Sequence, residues 1–381
     1  MRITPVTRSD ELVNSFLNNG PLVRISFLSA EAKYIILNET EYPFTYEKKF
    51  PGYFGWGDIT IKSLQVNCKG ENKLDIYDIN RQQLASIKFN YPIDDVDPSL
   101  LMMFDPQIYT GDEYRFSLRG SQDVLNKCIL KNIDDIDAIV FGGDNFYDCR
   151  TGGLNTKFFE QQLTDKFFSK PMITVIGNHE YSRDGNGKMD TGYGRQYLLW
   201  FAIDAHTSIW EDPNKFPDPK FNFEEQPIPY QYTASYYVMG NSGFIVLDNT
   251  TKVSEMKDIN WTEVNKRFET LNVKHVYLLS HWNASGFYAK ESGEEAFKYL
   301  KTIFSNLRYY FVGHEHGNSK LNDQGYLMGG NGFNGNRCSE TCYGCIDCCP
   351  TILKGGIIYQ GWNEGGPCNG IKEFPQKYIS L

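Results

Sequence analysis

The sequence predicts a small all-β domain followed by an α/β domain, and two changes of pattern along the chain carry that reading. Residues 1–95 hold short β-rich runs, "LVRISFLS", "KYIILNE", "DITIKSLQV" and "LASIKFN", separated by turn-like stretches; the one helical pattern there lies near Asp10 to Leu17. Short strands with alternating patterning and frequent turns read as an antiparallel sandwich. The segment "YPIDDVDPSL" (91–100), with two prolines and three aspartates, reads as a linker. Beyond it, in residues 96–381, continuous apolar runs alternate with helix-period segments, the signature of a sheet covered on both faces.

The elements of the second domain follow in order. "LLMMFD" is a buried strand, and "SQDVLNKCILKNI" has helical spacing of Val124, Leu125, Cys128, Ile129 and Ile133. "IDAIVFGG" is a second strand, "FFEQQLTDKFF" a helix and "MITVIGN" a third strand. Strands are expected again at "ASYYVM", "GFIVLD", "KHVYLLS" and "RYYFVG", with helices near 260–271 and 293–305. Residues 181–232 are rich in Pro, Asn and aromatics and lack periodicity, as functional loops often do.

Composition narrows the function classes. The chain of 381 residues is 41% hydrophobic and 22% charged, which is ordinary for a globular protein. A net charge of −9 disfavours nucleic-acid and membrane-surface partners, both of which require clustered Lys and Arg. No apolar run approaches the roughly 18 residues of a membrane span. The N-terminus has acidic and amide residues where a signal peptide needs an apolar core, so the expected location is cytoplasmic.

The ends of the apolar runs carry the chemistry. "LLMMFD" ends in Asp105, "AIVFGGDNFYD" in Asp144 and Tyr147, "MITVIGNHE" in Asn178 and His179, "KHVYLLSH" in His281, and "YYFVGHEH" in His314 and His316. Ligands of open α/β sheets bind outside the carboxyl ends of the strands. Singly, each Asp or Asn is a turn or cap residue, each His a structural histidine and Tyr147 a packing residue. Together they use four of the chain's six histidines at one expected rim.

"GGDNFY", "GNHE", "LLSHWN" and "VGHEH" resemble, in order and spacing, the motifs of the calcineurin-like metallophosphoesterases, and within them the purple acid phosphatase branch. The resemblance spans about 105–316, with "GYLMGGNGFNG" similar to the Gly-rich segment that follows, and leaves the first 95 residues uncovered. It implies a two-sheet sandwich flanked by helices and a binuclear metal centre. Asp144 would bridge both ions; Asp105, Tyr147 and His316 would complete the first; Asn178, His281 and His314 would complete the second. Two nearby cations repel, so an anion must lie between them. Carboxylate and phenolate ligands suit trivalent iron, while Asn and imidazoles suit Zn, Fe(II) or Mn. A metal-bound hydroxide would attack phosphorus, with His179 donating to the phosphate or protonating the leaving alkoxide. The implied activity is that of an acid phosphatase-like phosphoric ester hydrolase acting on a phosphorylated small molecule or peptide. A phosphodiesterase or nucleotide hydrolase of the same fold, and a non-catalytic phosphoesterase-like scaffold, are the alternatives.

The motifs also depart from the wider pattern. Gln107 stands where much of the superfamily has a histidine in the first motif, and Lys290 stands nine residues after His281, where the purple branch often has another. Asp148 and Arg150 fall one and two positions late for the protein Ser/Thr phosphatase pattern and read as a capping or surface pair. Six of nine cysteines lie in the last 44 residues, packed in "CSETCYGCIDCCP". A structural zinc knot, a disulfide-stapled loop and a run of reduced thiols all remain open for them.

Overall fold

The computed structural model describes residues 2–5, 21–50, 59–92, 96–104, 133–144, 169–175, 177, 235–247, 252–255, 260–283, 291–314, 320–321, 326–328, 351–362 and 370–373. The strands are, in chain order, β1 (Arg2–Pro5), β2 (Leu22–Leu28), β3 (Tyr34–Leu37), β4 (Thr40–Tyr42), β5 (Tyr46–Phe50), β6 (Ile59–Asn67), β7 (Gly70–Tyr77), β8 (Gln83–Tyr91), β9 (Leu100–Met103) and β10 (Ala138–Gly142). They continue with β11 (Met172–Val175), β12 (Ser235–Met239), β13 (Ser242–Leu247), β14 (His275–Ser280), β15 (Leu307–Val312), β16 (Lys320–Leu321), β17 (Tyr326–Met328), β18 (Thr351–Lys354), β19 (Ile357–Trp362) and β20 (Gly370–Glu373). Two helices, α1 (Trp261–Thr270) and α2 (Gly293–Lys301), are described.

The N-terminal region forms two four-stranded antiparallel sheets, ordered β1-β2-β6-β5 and β4-β3-β7-β8. Alternation sets their facing: Val23, Ile25 and Phe27 from one sheet and Ile35, Leu37, Leu74 and Ile76 from the other enter a common buried cluster. Asn38 and Glu39, both at positive φ, make the two-residue turn between β3 and β4, where a positive φ at both positions matches the strand twist. Cys68 packs behind this core, and burial pushes its thiol up to about 12, which makes it an inert packing group.

The second region is a sandwich of two six-stranded mixed sheets, ordered β11-β10-β9-β18-β19-β20 and β12-β13-β14-β15-β17-β16. The first sheet is parallel through β9, β10 and β11 and is extended by antiparallel β18, β19 and β20. In the second, β13, β14, β15 and β17 run parallel. The continuous apolar runs are explained by burial on both faces. Tyr237, Phe244, Val246, Tyr277, Leu279 and Phe311 face Leu100, Met102, Val140 and Ile173 of the other sheet, while the residues between them, such as Tyr236, Ile245, Leu278 and Tyr310, meet the helices.

The helices close that outer face. In α1 the Asn260 side chain accepts from the Glu263 amide at 3.2 Å, and Trp261, Val264 and Phe268 form its buried stripe. Ser292 and Glu295 form a reciprocal capping box on α2, whose Ala296, Phe297 and Leu300 are buried. Both helices begin close to where the periodicity sets them. The helices expected near Asp10–Leu17 and at 158–168, the helix expected at 121–133 up to its last residue, the stretch 181–232 and the cysteine cluster at 338–349 lie outside the described residues; Ile133 itself opens a short 3-10 turn, Ile133–Asp135. Among the described residues no helix is long and apolar enough to cross a membrane.

The buried cluster does not stop at residue 95. It joins the N-terminal strands to Leu100, Val140, Tyr277 and Phe311, and a parallel bridge from Ile3 to Pro171 sets β1 against β11. The segment read as a linker is also bonded to the second sheet: the Asn241 amide donates to the Val96 carbonyl at 3.3 Å, and Ser242 Oγ donates to Asp97 Oδ1 at 3.3 Å. Asp97 Oδ2 lies 3.4 Å from His275 Nε2.

Burial, reinforced by the Arg308 guanidinium, holds the His275 imidazole below its ordinary value against the pull of Asp97 and of a hydrogen bond with the Lys274 backbone. Such a histidine takes up a proton more readily when unfolded. Its contribution to stability is therefore full above the unfolded value of about 6.5 and is lost as the pH falls toward the folded value. The thermal midpoint is expected to fall further between pH 7 and pH 5 in the wild type than in His275→Gln, which cannot titrate. Equal falls, measured by circular dichroism, would contradict this.

Candidate metal centre

Register brings the chemistry-bearing strand ends to one rim. Gly142 pairs with Val175 in the first sheet, and Ser280 pairs with Leu247 and Val312 in the second. Asp144 and Gly177 therefore each lie two residues past a strand end of the first sheet. His281 lies one and His314 two residues past strand ends of the second. The sandwich faces these ends toward each other, and Asp144, His281 and His314 converge with ligand atoms all within 4.8 Å of one another.

The backbone at this rim is unusual. Asp144 has φ 49° and His314 φ 75°, left-handed conformations that cost energy in a non-glycine residue and cluster at functional sites. Gly143 has φ 94°, and a Cβ there would sit 2.5 Å from His281 Nδ1. A Cβ on Gly177 would collide with the Asp144 carboxylate and amide. The two glycines thus let three chain segments approach as closely as they do.

Orientation of the ligand atoms follows from one hydrogen bond. His281 Nδ1 lies 3.1 Å from the Gly142 carbonyl oxygen, which only accepts, so Nδ1 carries the proton and donates it. That leaves Nε2 as the ring nitrogen able to bind a cation; it lies 3.2 Å from Asp144 Oδ1 without the alignment of a hydrogen bond to it. His281 is fully buried and Asp144 is 1% exposed. Two electron-rich atoms held this close away from water require a proton or a cation between them. The His314 ring, centred 5.3 Å from that of His281, brings a second imidazole to the same point. One carboxylate and two imidazoles, with the second nitrogen of one ring tied to a backbone carbonyl, form a donor set that fits a transition-metal cation.

Of the residues the sequence singled out, Asp144, His281 and His314 are brought together. Asp105, Tyr147, Asn178, His179 and His316 lie outside the described residues, as do Gln107, Asp148, Arg150 and Lys290. Sequence reasoning singled out neither Gly177 nor the group behind His281. Ser280 Oγ lies 2.7 Å from Tyr310 Oη, and both hydroxyls reach the Trp282 carbonyl, at 3.1 and 2.8 Å. A polar Ser280 closing the otherwise apolar run "VYLLS" was the available signal.

No curated protein matches the chain. Among solved structures, a conserved uncharacterized protein from Streptococcus pneumoniae TIGR4, titled a predicted phosphoesterase, aligns over 73% of this chain and 97% of its own at 10% identity, with a TM-score of 0.27. The calcineurin-like phosphoesterase YfkN from Bacillus subtilis aligns over 73% of this chain and 90% of its own at 14% identity, with a TM-score of 0.32. The model of the Metallophos family, calcineurin-like phosphoesterase, matches residues 105–318, a span that begins at Asp105 and contains Asp144, His281 and His314. The chain therefore belongs to the calcineurin-like phosphoesterase family.

Proposed function

We propose that the protein hydrolyses phosphate esters at a binuclear metal centre in the manner of an acid phosphatase, with a phosphorylated small molecule or peptide as substrate. The observation that carries this is the buried convergence of Asp144, His281 and His314, in which His281 Nε2 lies 3.2 Å from an Asp144 oxygen while Nδ1 is taken up by the Gly142 carbonyl. In this reading Asp144 is shared by two ions. Asp105, Tyr147 and His316 complete one site, and Asn178, His281 and His314 complete the other. The ions are iron in the first and zinc, iron or manganese in the second, following the hardness of the two donor sets. Bound there, they would supply Lewis acidity at the phosphoryl oxygens and a water activated for attack near neutral pH.

The chain's own residues do the rest. The Asp144 carboxylate would offset the repulsion between two cations held beside it. Gly142 holds the His281 tautomer, so that ring presents Nε2 without rearrangement. His179, adjacent to Asn178 and surplus to the seven ligands, donates to the phosphate or gives a proton to the departing alkoxide oxygen. Residues 96–381 carry this chemistry, and residues 1–95 buttress the sheet edge at β11.

Three outcomes test the reading. The purified protein is expected to hydrolyse p-nitrophenyl phosphate in preference to its bis-ester, to lose that activity to a chelator, and in Asp144→Ala to lose both metals. Stoichiometric metal retained in the variant would refute the shared ligand. His179→Ala is expected to keep its metal while turnover falls by about 10²–10⁴-fold; loss of metal with the activity would make His179 a ligand instead. A phenolate on Fe(III) absorbs visible light, so iron-loaded protein is expected to be pink to purple and Tyr147→Phe colourless. A colourless wild type holding confirmed ferric iron would exclude Tyr147 as a ligand.

A further inference from the structure

Behind His281 lies a buried hydroxyl pair whose geometry ties one histidine of the rim to the strand that carries the other. Tyr310 Oη donates to the Trp282 carbonyl at 2.8 Å, and Ser280 Oγ lies 2.7 Å from Tyr310 Oη and 3.1 Å from the same carbonyl. Two hydroxyl protons serve three short contacts. The shortest self-consistent pattern has Tyr310 donating to the Trp282 carbonyl and Ser280 donating to the Tyr310 oxygen. Ser280 and Trp282 flank His281 in the chain, so both neighbours of His281 are bonded to Tyr310, Ser280 through its hydroxyl and Trp282 through its backbone carbonyl. The Trp282 indole also packs edge-on against the His281 ring, with centroids 5.4 Å apart.

Tyr310 is itself held. It is fully buried on β15, four residues before His314, with its ring stacked on Phe297 of α2 at 6.1 Å. At the start of α2 the Gly293 amide donates to the Asn283 carbonyl at 2.8 Å, and a Cβ on Gly293 would collide with the Tyr310 hydroxyl. Glycine is unfavourable inside a helix, and its presence here leaves room for that hydroxyl. The capped end of α2 therefore closes over the hydroxyl pair and is bonded to the turn after β14 at Asn283.

We propose that Tyr310, with Ser280 as its partner, is a positioning residue for the metal site: it fixes the turn that follows His281 and so sets the aim of the His281 Nε2 lone pair relative to His314. This rests on the reading of the rim as a metal centre. It adds a device that belongs to neither ligand, in which a hydroxyl on the strand of one histidine holds the backbone of the other. Outer groups that orient ligands typically change metal affinity by about 10–100-fold when removed.

The test measures zinc affinity of the full chain by competition with a chelating dye, alongside the thermal midpoint of metal-free protein. In Tyr310→Phe the ring and its stacking stay, and Ser280 can still donate to the Trp282 carbonyl, so the fold is expected to survive. Zinc affinity, read well below the midpoint, is expected to fall about 10–100-fold. Ser280→Ala leaves the Tyr310 to Trp282 bond and is expected to lose less. The double variant strips the carbonyl of both donors and is expected to lose more than the sum of the two. Gly293→Ala, which displaces the hydroxyl without removing it, is expected to lower the affinity as well. Wild-type affinity in Tyr310→Phe, or a lowered midpoint with unchanged affinity, would reduce Tyr310 to a packing residue and overturn the proposal while leaving the metal centre standing. A wild type that binds no zinc, iron or manganese would overturn the metal centre itself.

Discussion

The hydrogen bond from His281 Nδ1 to the Gly142 carbonyl joins the two sheets at the rim where the chemistry-bearing strand ends meet. It is buried and directional, and it decides three things together: which nitrogen of His281 carries the proton, where the other nitrogen points, and how close the end of β14 lies to the end of β10. Two glycines of the rim are required by the closeness of its side chains. Gly143 must lack a side chain because the imidazole occupies that space, and Gly177 must lack one because Asp144 does. Asp144 and His314 sit in left-handed backbone conformations that the surrounding packing holds in place.

The sandwich provides the rigidity that such a rim needs. Parallel strands β13, β14 and β15 are buried on both faces, so their ends are fixed by core packing rather than by loop conformation. The outer layer contributes through α2, which covers Tyr310 and meets the turn after His281. The N-terminal sheets contribute at the far edge, where β1 meets β11 and the shared core continues without a break. A chain that read as two blocks joined by a linker is, among the described residues, packed around one continuous apolar interior.

Much of this was legible in the sequence. Apolar runs such as "IVFGG" and "VYLLSH" marked the strands because burial on both faces leaves no polar alternation to confuse with a helix. Helices were placed near 260–271 and 293–305, where α1 and α2 begin, but the caps at Asn260 and Ser292 that start them were not read. Asp144, His281 and His314 were visible because an Asp or His follows closely on each of three apolar runs. The antiparallel strands β18, β19 and β20 were missed, although the Gly355–Gly356 pair between β18 and β19, at φ 59° and 73°, is a hairpin signal. Their place beside β9 depends on pairing across some 250 residues, a contact no local pattern carries. Tyr310 read as one more apolar strand residue, since only the fold brings its hydroxyl to Ser280. The segment 91–100 read as a linker from its prolines and aspartates, yet Asp97 makes specific contacts with Ser242 and His275 that composition does not reveal.

The account stands or falls on what lies between Asp144 and His281. Anomalous diffraction from crystals of the protein as purified, collected at the iron and zinc edges, measures this directly. The account predicts two anomalous peaks flanking the Asp144 carboxylate, one of them about 2.0–2.1 Å from His281 Nε2. A rim without anomalous density, in which His281 Nε2 donates a proton straight to Asp144, would contradict it.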